Sequence, residues 1–481
     1  MAPEDGFAAR RSARAVDPRR AAAEARAAAF ALRRRAPRLS ASRRDPRMGV
    51  AFAGPAAFLG GAIAMAPQAT LSLLWAAAAL ALLGVAALRA AAALTAPVYS
   101  PRRPLTRARL PSLSVLCPMY DEPDHVVAAL AASLARLDYP RDRFEVAFVV
   151  EETDPGTLAA ALAAAAPYGY GVVAVPDVGP RTKPKALNAA LARTSGRLVA
   201  VYDAEDAPAP DQLRAAAEAF AADARLGCVQ APLGWYNDKE TWITGQFTLE
   251  YAAQFHVMLP FYRRIGWPPP LGGTSNVFRR DALEACTGWD PFNVTEDADV
   301  GFRLARFGWR IGLIEPGTLE EAPLGVAPWL AQRSRWLKGH LITTLVHLRD
   351  AAGLMRAAGP GALASLLGTL GVNAASAALH APSLALCLTL TILTGAGAAG
   401  AAAHAGLAVL FAGYACAALA AHVGLKRAGL APRPFLLASM PLYWPLQSLA
   451  LARALHELAA HPYSWAKTRH GLSRVTRTRR S

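Results

Sequence analysis

The sequence predicts an α/β domain with a mostly parallel sheet, inserted between N- and C-terminal transmembrane helices. Three observations lead there. Two long stretches carry no charged side chain, short apolar runs alternate with helix-like stretches between them, and a net charge of +16 sits almost wholly in two tails.

The apolar stretches come first. Hydrophobic residues make up 54% of the 481 and charged ones 18%, an apolar balance for a soluble enzyme. Residues 49–88 hold no Lys, Arg, Asp or Glu. At ~20 residues per span this allows two transmembrane helices within 48–95, turning at Pro67-Gln68. Residues 96–111 form a basic, proline-rich linker. The C-terminal stretch 346–460 has no charged side chain from Ala357 to Leu425 and offers three or four helices, the last over 434–452. Here the topology rules conflict. Loop Lys426–Arg433 and the tail are both basic, so both should stay on the cytoplasmic side, yet one full span would separate them. A full span is the reading adopted, giving two N-terminal and four C-terminal helices; an interfacial or re-entrant segment is the alternative.

Charge placement narrows the function classes. Residues 1–47 carry 13 Arg, no Lys and 5 acids, and 461–481 carry six basic residues and no acid, so the tails supply 14 of the 16 charges. The near-neutral middle has no need of a nucleic-acid face, and no nucleic acid is expected as partner. Basic flanks beside apolar spans read as cytoplasmic retention with attraction to anionic lipid. That places the chain in the cytoplasmic (inner) membrane, with the soluble domain and both termini cytoplasmic. The arm 1–47 alternates Ala and Arg without a period and reads as disordered; 461–481 reads as a basic cytoplasmic tail. Cys117, Cys228, Cys286, Cys387 and Cys416 form no CxxC pair and read as single buried thiols in a reducing compartment.

Residues 112–345 form the domain. The strand candidates are Leu113–Cys117, Phe144–Val150, Gly171–Val175, Leu198–Tyr202 and Gly227–Ala231. Helix-like stretches 124–136, 155–166, 184–194 and 210–222 lie between them. This alternation implies a parallel sheet with helices on both faces, and such folds do their chemistry at the carboxyl ends of the strands. Three of those ends are acidic: Pro118–Pro123 with Tyr120 and Glu122, Glu151–Asp154, and Tyr202–Asp206 with Asp203, Glu205 and Asp206. Asp also favours turns and helix N-caps, so one acidic end means little; three on one rim favour function. Carboxylates there suit Mg²⁺ or Mn²⁺ shared with substrate phosphates. Lys183 and Lys185, just before a helix, suit phosphate oxygens. Together they describe a nucleotide-diphosphate site, with a solvated basic turn as the plain alternative.

A second cluster follows. Gly272–Asn276 is a small polar loop before an apolar strand. Thr295-Glu296-Asp297 opens a helix over Val300–Phe307, where Thr295 reads as its cap. Gln332, Arg335 and Trp336 fall at i, i+3 and i+4, one face of a helix. Trp offers a stacking platform for a sugar ring and Arg a fork for a diphosphate; the plain alternative is an interfacial Trp and Arg beside a membrane helix.

In this order, the motifs Asp203-Ala-Glu205, Thr295-Glu296-Asp297 and Gln332-Arg-Ser-Arg-Trp336 resemble the family 2 glycosyltransferases, specifically membrane polysaccharide synthases similar to bacterial cellulose synthase. The resemblance covers about residues 112–340, and the ending Pro462–Gly471 is similar to that of related synthases. It implies a GT-A-like nucleotide-sugar-binding domain and a divalent metal, Mg²⁺ or Mn²⁺. Tyr120, Glu122 and Asp154 would meet the nucleotide base and ribose, and Lys183 or Lys185 the diphosphate. Asp203 would bind donor and metal, with Glu205 or Asp206 completing the metal site, since Glu205 replaces the family's usual second Asp. Asp297 would be the general base with Glu296 beside it. Gln332, Arg335 and Trp336 would hold the diphosphate and the acceptor end, and Gly273, Thr274, Ser275 and Asn276 would line the acceptor pocket.

The reaction so implied is inverting transfer of a hexose from a UDP- or GDP-sugar to a growing glycan, with a β-linked product. The aromatic set Trp235, Tyr236, Trp242, Phe255, Phe261, Tyr262, Trp267 and Trp336 reads equally as a glycan path or an interfacial belt. An amphipathic interface helix is expected over Tyr251–Arg264. One alternative is a single transfer to a lipid or polyprenyl-phosphate acceptor. Another, of a different class, is a catalytically silent receptor or scaffold on the same fold.

Overall fold

The computed structural model describes residues 18–43, 57–395, 397–463, 467–468 and 470–478. Its centre is a seven-stranded sheet in the order β3-β2-β1-β4-β8-β6-β9. The strands are β1 (Leu113–Met119), β2 (Phe144–Glu151), β3 (Gly171–Val175), β4 (Leu198–Val201), β6 (Leu226–Gln230), β8 (Asn276–Arg279) and β9 (Arg310–Leu313). A smaller sheet joins β5 (Ala207–Pro208), β10 (Thr318–Glu320) and β7 (Leu233–Trp235).

The strand sequences explain the layering. In β1, Val115 and Cys117 enter one apolar core and Leu116 the other. In β2, Val146, Phe148 and Val150 face one core and Ala147 and Val149 its opposite. Apolar side chains at both phases of the two-residue period bury both faces, the condition for a parallel sheet covered by helices. The covering helices Asp124–Ala135, Pro155–Ala165, Lys183–Leu191 and Gln212–Ala222 lie where the sequence places them.

One strand breaks the parallel rule and so shapes the site. β8 runs antiparallel to both neighbours, with Asn276 opposite Val201 of β4 and Gln230 of β6. Its amino end therefore lies on the rim where β1, β2 and β4 end. The loop before it, Gly272–Ser275, arrives beside the acidic turn after β4. An all-parallel strand would have carried that loop to the opposite edge.

Among the described residues, three helices are long and apolar enough to cross a membrane: Pro67–Leu94, Pro360–Thr394 and the helix ending at Arg427. The chain is a membrane protein. Part of the expected first N-terminal helix, residues 48–56, lies outside the described residues. The expected span over 434–452 is not a continuous helix: it breaks into Pro434–Ala438, Met440–Tyr443 and Pro445–Ala460. Two contacts resolve the topology conflict. Arg433 pairs with Asp238 of the sheet domain before this segment, and the backbone amides of Gly471, Leu472 and Ser473 after it donate to Glu321 of the same domain at 2.9–3.0 Å. Both ends of 434–460 therefore touch one domain, so the full-span reading is corrected to a returning, broken helix. Prolines at 434, 441 and 445 deny the backbone the donors a straight helix needs.

The interface helix begins earlier than expected, at Trp242, and continues through a wide turn at Gln254–Met258 to Leu259–Arg264. It lies hard against the last membrane helix: a Cβ on Gly424 would stand 2.3 Å from the Ala252 carbonyl, a gap that glycine alone leaves open. The described part of the basic arm, expected as disordered, is helical over Pro18–Ala29 and docks on the domain. The Ala41 amide donates to Asp290 at 2.6 Å, and Arg349 donates to the carbonyls of Ser40 and Arg43. Of the five thiols, Cys117, Cys228, Cys286 and Cys387 are free and buried, and Cys416 is free and half-buried.

Candidate active site at the membrane-facing rim

A cavity of about 530 Å³ opens at the carboxyl rim of the sheet and continues between the membrane helices. The acidic turn after β4 forms one wall. Asp203 Oδ1 lies 2.5 Å from Lys183 Nζ, which also donates to the Gly273 carbonyl at 2.7 Å. Glu205 Oε1 lies 3.2 Å from His470 Nδ1. Asp206 turns inward. It is buried, and its Oδ2 takes the Asp203 amide at 2.8 Å and the Thr274 hydroxyl. Burial first, then repulsion from Asp203, holds the Glu205 carboxyl up at about 8 and lifts Asp206 well above the carboxylate range. Burial pulls Lys183 down, but Asp203, Glu296 and Asp297 outweigh it and raise its pKa, so the ammonium stays charged.

The opposite wall comes from the helices Glu296–Arg306 and Val326–Leu348. Glu296, Asp297, Gln332, Arg335 and Trp336 all line the cavity, so the i, i+3, i+4 face is real. Asp297 is reachable by solvent yet ringed by protein. Burial raises its carboxyl to about 6 against the pull of the Ala298 amide and Lys183. Its Oδ2 faces the open side of Gly273, where an added Cβ would stand 3.7 Å away. Thr295 occupies the N-cap position but makes no capping bond. Trp336 lies 5.7 Å from Phe247 and 6.3 Å from Tyr251, centroid to centroid, under the Arg333 guanidinium. Arg333, which the motif passes over, pairs with Glu250.

Several expected residues lie elsewhere. Lys185 is fully buried and does not line the cavity; behind the wall it pairs at 2.6 Å with Glu151, which does. Asp154 accepts from the Thr157 amide at 3.1 Å and the Asp121 amide at 2.5 Å, so it caps the helix Pro155–Ala165 and ties down the loop after β1. Ser275 and Asn276 are buried and spend their side chains on Thr318 and the Gly272 carbonyl. Tyr120, Glu122, Gly273 and Thr274 do line the cavity, and of the eight aromatics so do Phe255, Tyr262 and Trp336.

Sequence reasoning missed a third wall. The tail folds back over the rim: Lys467 donates to the carbonyls of Tyr120 and Asp121 and pairs with Glu122 at 3.0 Å. Thr468 lies 3.5 Å from Arg335. Glu321, one residue past β10, anchors the tail, taking three backbone amides and the Thr476 hydroxyl at 2.6 Å. Glu320 beside it lines the cavity with a buried oxygen that meets no donor. The signal was the run Lys467–Gly471, whose polar residues have no use in a mere tail.

The donor set fits a divalent cation in part. Among the described residues no three acidic, His or Cys side chains converge as a metal cage. Asp203 and Glu205, both on the cavity wall and crowding each other, form a two-carboxylate set of the kind that holds Mg²⁺ together with substrate phosphates. Asp206 lies buried off that wall, with Oδ2 taken by the Asp203 amide and the Thr274 hydroxyl and Oδ1 without a hydrogen-bond partner.

Comparison with known proteins follows the same outline. Residues 111–339 match the model described as glycosyltransferase like family 2. The β-monoglucosyldiacylglycerol synthase of Trichormus variabilis is 31% identical over 237 residues, 48% of this chain and 49% of that protein. The UDP-forming cellulose synthase catalytic subunit of Komagataeibacter sucrofermentans is 26% identical over 250 residues, 49% of this chain and 33% of that one. The chain thus spans half the length or less of these curated relatives. A mannosyltransferase from Pyrobaculum calidifontis, solved with GDP-Man and Mn²⁺, superposes with a TM-score of 0.56 at 22% identity, covering 80% of this chain and 98% of that one. It shares the fold, with a mostly parallel GT-A-like sheet.

Proposed function

We propose that this chain, which carries a family 2 glycosyltransferase domain over residues 111–339, transfers a hexose with inversion from a nucleotide-diphosphate sugar to an acceptor hydroxyl presented from the membrane side of its cavity. One observation carries the reading. The acid–lysine wall of Asp203, Glu205 and Lys183 and the base–arginine–tryptophan wall of Asp297, Arg335 and Trp336 line one cavity.

The chemistry follows from these walls. Tyr120 and Glu122 border the base and ribose, with Lys467 closing over them. The diphosphate lies between Lys183 and Arg335, the fixed cations that neutralise the leaving group. Asp203 and Glu205 would hold Mg²⁺ or Mn²⁺, which would add positive charge beside the same phosphates. Asp297 takes the proton of the acceptor hydroxyl as its oxygen bonds to the anomeric carbon and the bond to the diphosphate breaks. Attack from the opposite side turns an α-linked donor into a β-linked product. Trp336 stacks on the acceptor. The catalytic domain and both basic segments face the cytoplasm, where nucleotide sugars are made. A growing glycan is the first acceptor class. A membrane lipid is the second, favoured because the cavity continues between the membrane helices.

The experiment is incorporation of label from a panel of radiolabelled UDP- and GDP-hexoses by the purified chain with Mg²⁺ or Mn²⁺, with Asp297→Asn in parallel. Label in a macromolecular or lipid product, lost in the variant, supports the transferase. No release of sugar from any donor, to acceptor or to water, sinks it and favours a silent receptor.

A further inference from the structure

The membrane end of the cavity holds a cation that the transfer chemistry does not use. Arg89 is the one charged side chain of the helix Pro67–Leu94, and it lines the cavity with Val85, Leu88 and Trp444. A helix of this length spans ~42 Å, and Arg89 lies ~8 Å inside its domain-side end. Centred on a hydrocarbon core of ~30 Å, the helix would put Arg89 near the level where lipid headgroups meet acyl chains. Charged side chains inside membrane helices are costly and mark functional sites by default.

Arg89 has donors to spare. Among the described residues it makes no hydrogen bond or ion pair, and rests on the face of Trp444, 4.6 Å from the ring centroid. The Trp444 Nε1 is itself buried with no acceptor. The carboxylate acting on Arg89 through space, Glu250, is already taken by Arg333, by the Tyr443 hydroxyl at 2.7 Å and by Gln447 at 3.1 Å. A guanidinium stacked on an indole whose own N–H has no acceptor leaves donors of both groups short of an anion. A guanidinium fork matches phosphate oxygens.

We propose that this membrane-side arm is the acceptor site and takes a phosphate-bearing membrane lipid, its phosphate held by Arg89 and the Trp444 Nε1 and its free hydroxyl delivered to Asp297. The inference rests on the transferase reading above. The lipid hydroxyl oxygen bonds to the anomeric carbon, its proton passes to Asp297, the nucleoside diphosphate leaves, and the lipid phosphate is unchanged.

The test uses the full chain in mixed micelles of a sugar-free non-ionic detergent with a labelled donor. The probes are phosphatidylglycerol, diacylglycerol, cellopentaose in solution and 10 mM inorganic phosphate as competitor. Label is expected in phosphatidylglycerol. Arg89→Gln is expected to raise its KM at least tenfold with a much smaller change in kcat, and Arg89→Lys to recover part of the loss. Thermal melting and donor affinity serve as controls, and native mass spectrometry of phosphatidylglycerol bound to the unaltered chain stands in if the variants fail to fold. Equal labelling of diacylglycerol or cellopentaose, or an unchanged KM in Arg89→Gln, overturns the inference while leaving the transferase standing. Equal competition by inorganic phosphate overturns its lipid part. Loss of all donor turnover, water included, overturns the transferase reading and this inference with it.

Discussion

The ends of β2 and β4 look alike in sequence and do different work. Each is a buried apolar strand that runs into acids: Glu151 and Asp154 after one, Asp203, Glu205 and Asp206 after the other. At β2, Glu151 borders the cavity but is held from behind by the buried Lys185, and Asp154 caps a helix. At β4, the antiparallel neighbour β8 brings the Gly273 loop alongside, and Asp203 and Glu205 face the cavity across from Lys183. An acidic strand end becomes a site when the neighbouring strand leaves an open cleft beside it. It becomes scaffold when a helix starts there at once, as Pro155 does after Asp154.

Substitutions can break this contrast. The largest effect is expected at the base facing the β4 turn: Asp297→Asn should lower kcat by about 10²–10⁴ while donor KM moves little, in a single-turnover assay. A full-rate variant would remove Asp297 from the chemistry. The two lysines should then part company. Lys183→Met should cut kcat/KM by about 10²–10³ in a protein that melts normally. Lys185→Met should strand Glu151 as a buried unpaired acid and destabilise the fold by about 3–5 kcal/mol, read by urea unfolding. If both lose only activity, the β2 end belongs to the site after all.

The pH profile sharpens the same point. The base works deprotonated, and burial lifts Asp297 to about 6. With the cation holding Glu205 ionised, the log of kcat/KM should therefore be level above that value and fall by one per pH unit below it. A limb near pH 4 would mean that bound donor or cation resets the group. The smallest effect belongs to the β2 cap: Asp154→Ala should cost about 1 kcal/mol of stability, measured by melting, with specific activity of the folded protein kept within about twofold.

Much of this was legible in the chain. β3 falls where its apolar run predicts, and the other four predicted strands match to within two residues, because a strand buried on both faces must be continuously apolar. The three-residue face of Gln332, Arg335 and Trp336 was legible too, since helical spacing alone sets it. The returning segment 434–460 was legible only as the alternative that its basic flanks raised. Hydropathy measures apolarity, and a prolinebroken interface helix is as apolar as a span.

What the sequence determined by itself is local and periodic: which segments are strands, which are long apolar helices, and which residue types could bear charge on the rim. Tertiary structure alone decided direction. It turned Lys183 outward and Lys185 inward two positions later, folded Asp206 beneath Thr274, and laid Lys467 and His470 over Glu122 and Glu205 from more than 250 residues away. The physical reason is that side-chain direction on a rim is set by what packs against it. For this rim those partners, β8, the helix Val326–Leu348 and the tail, come from distant parts of the chain.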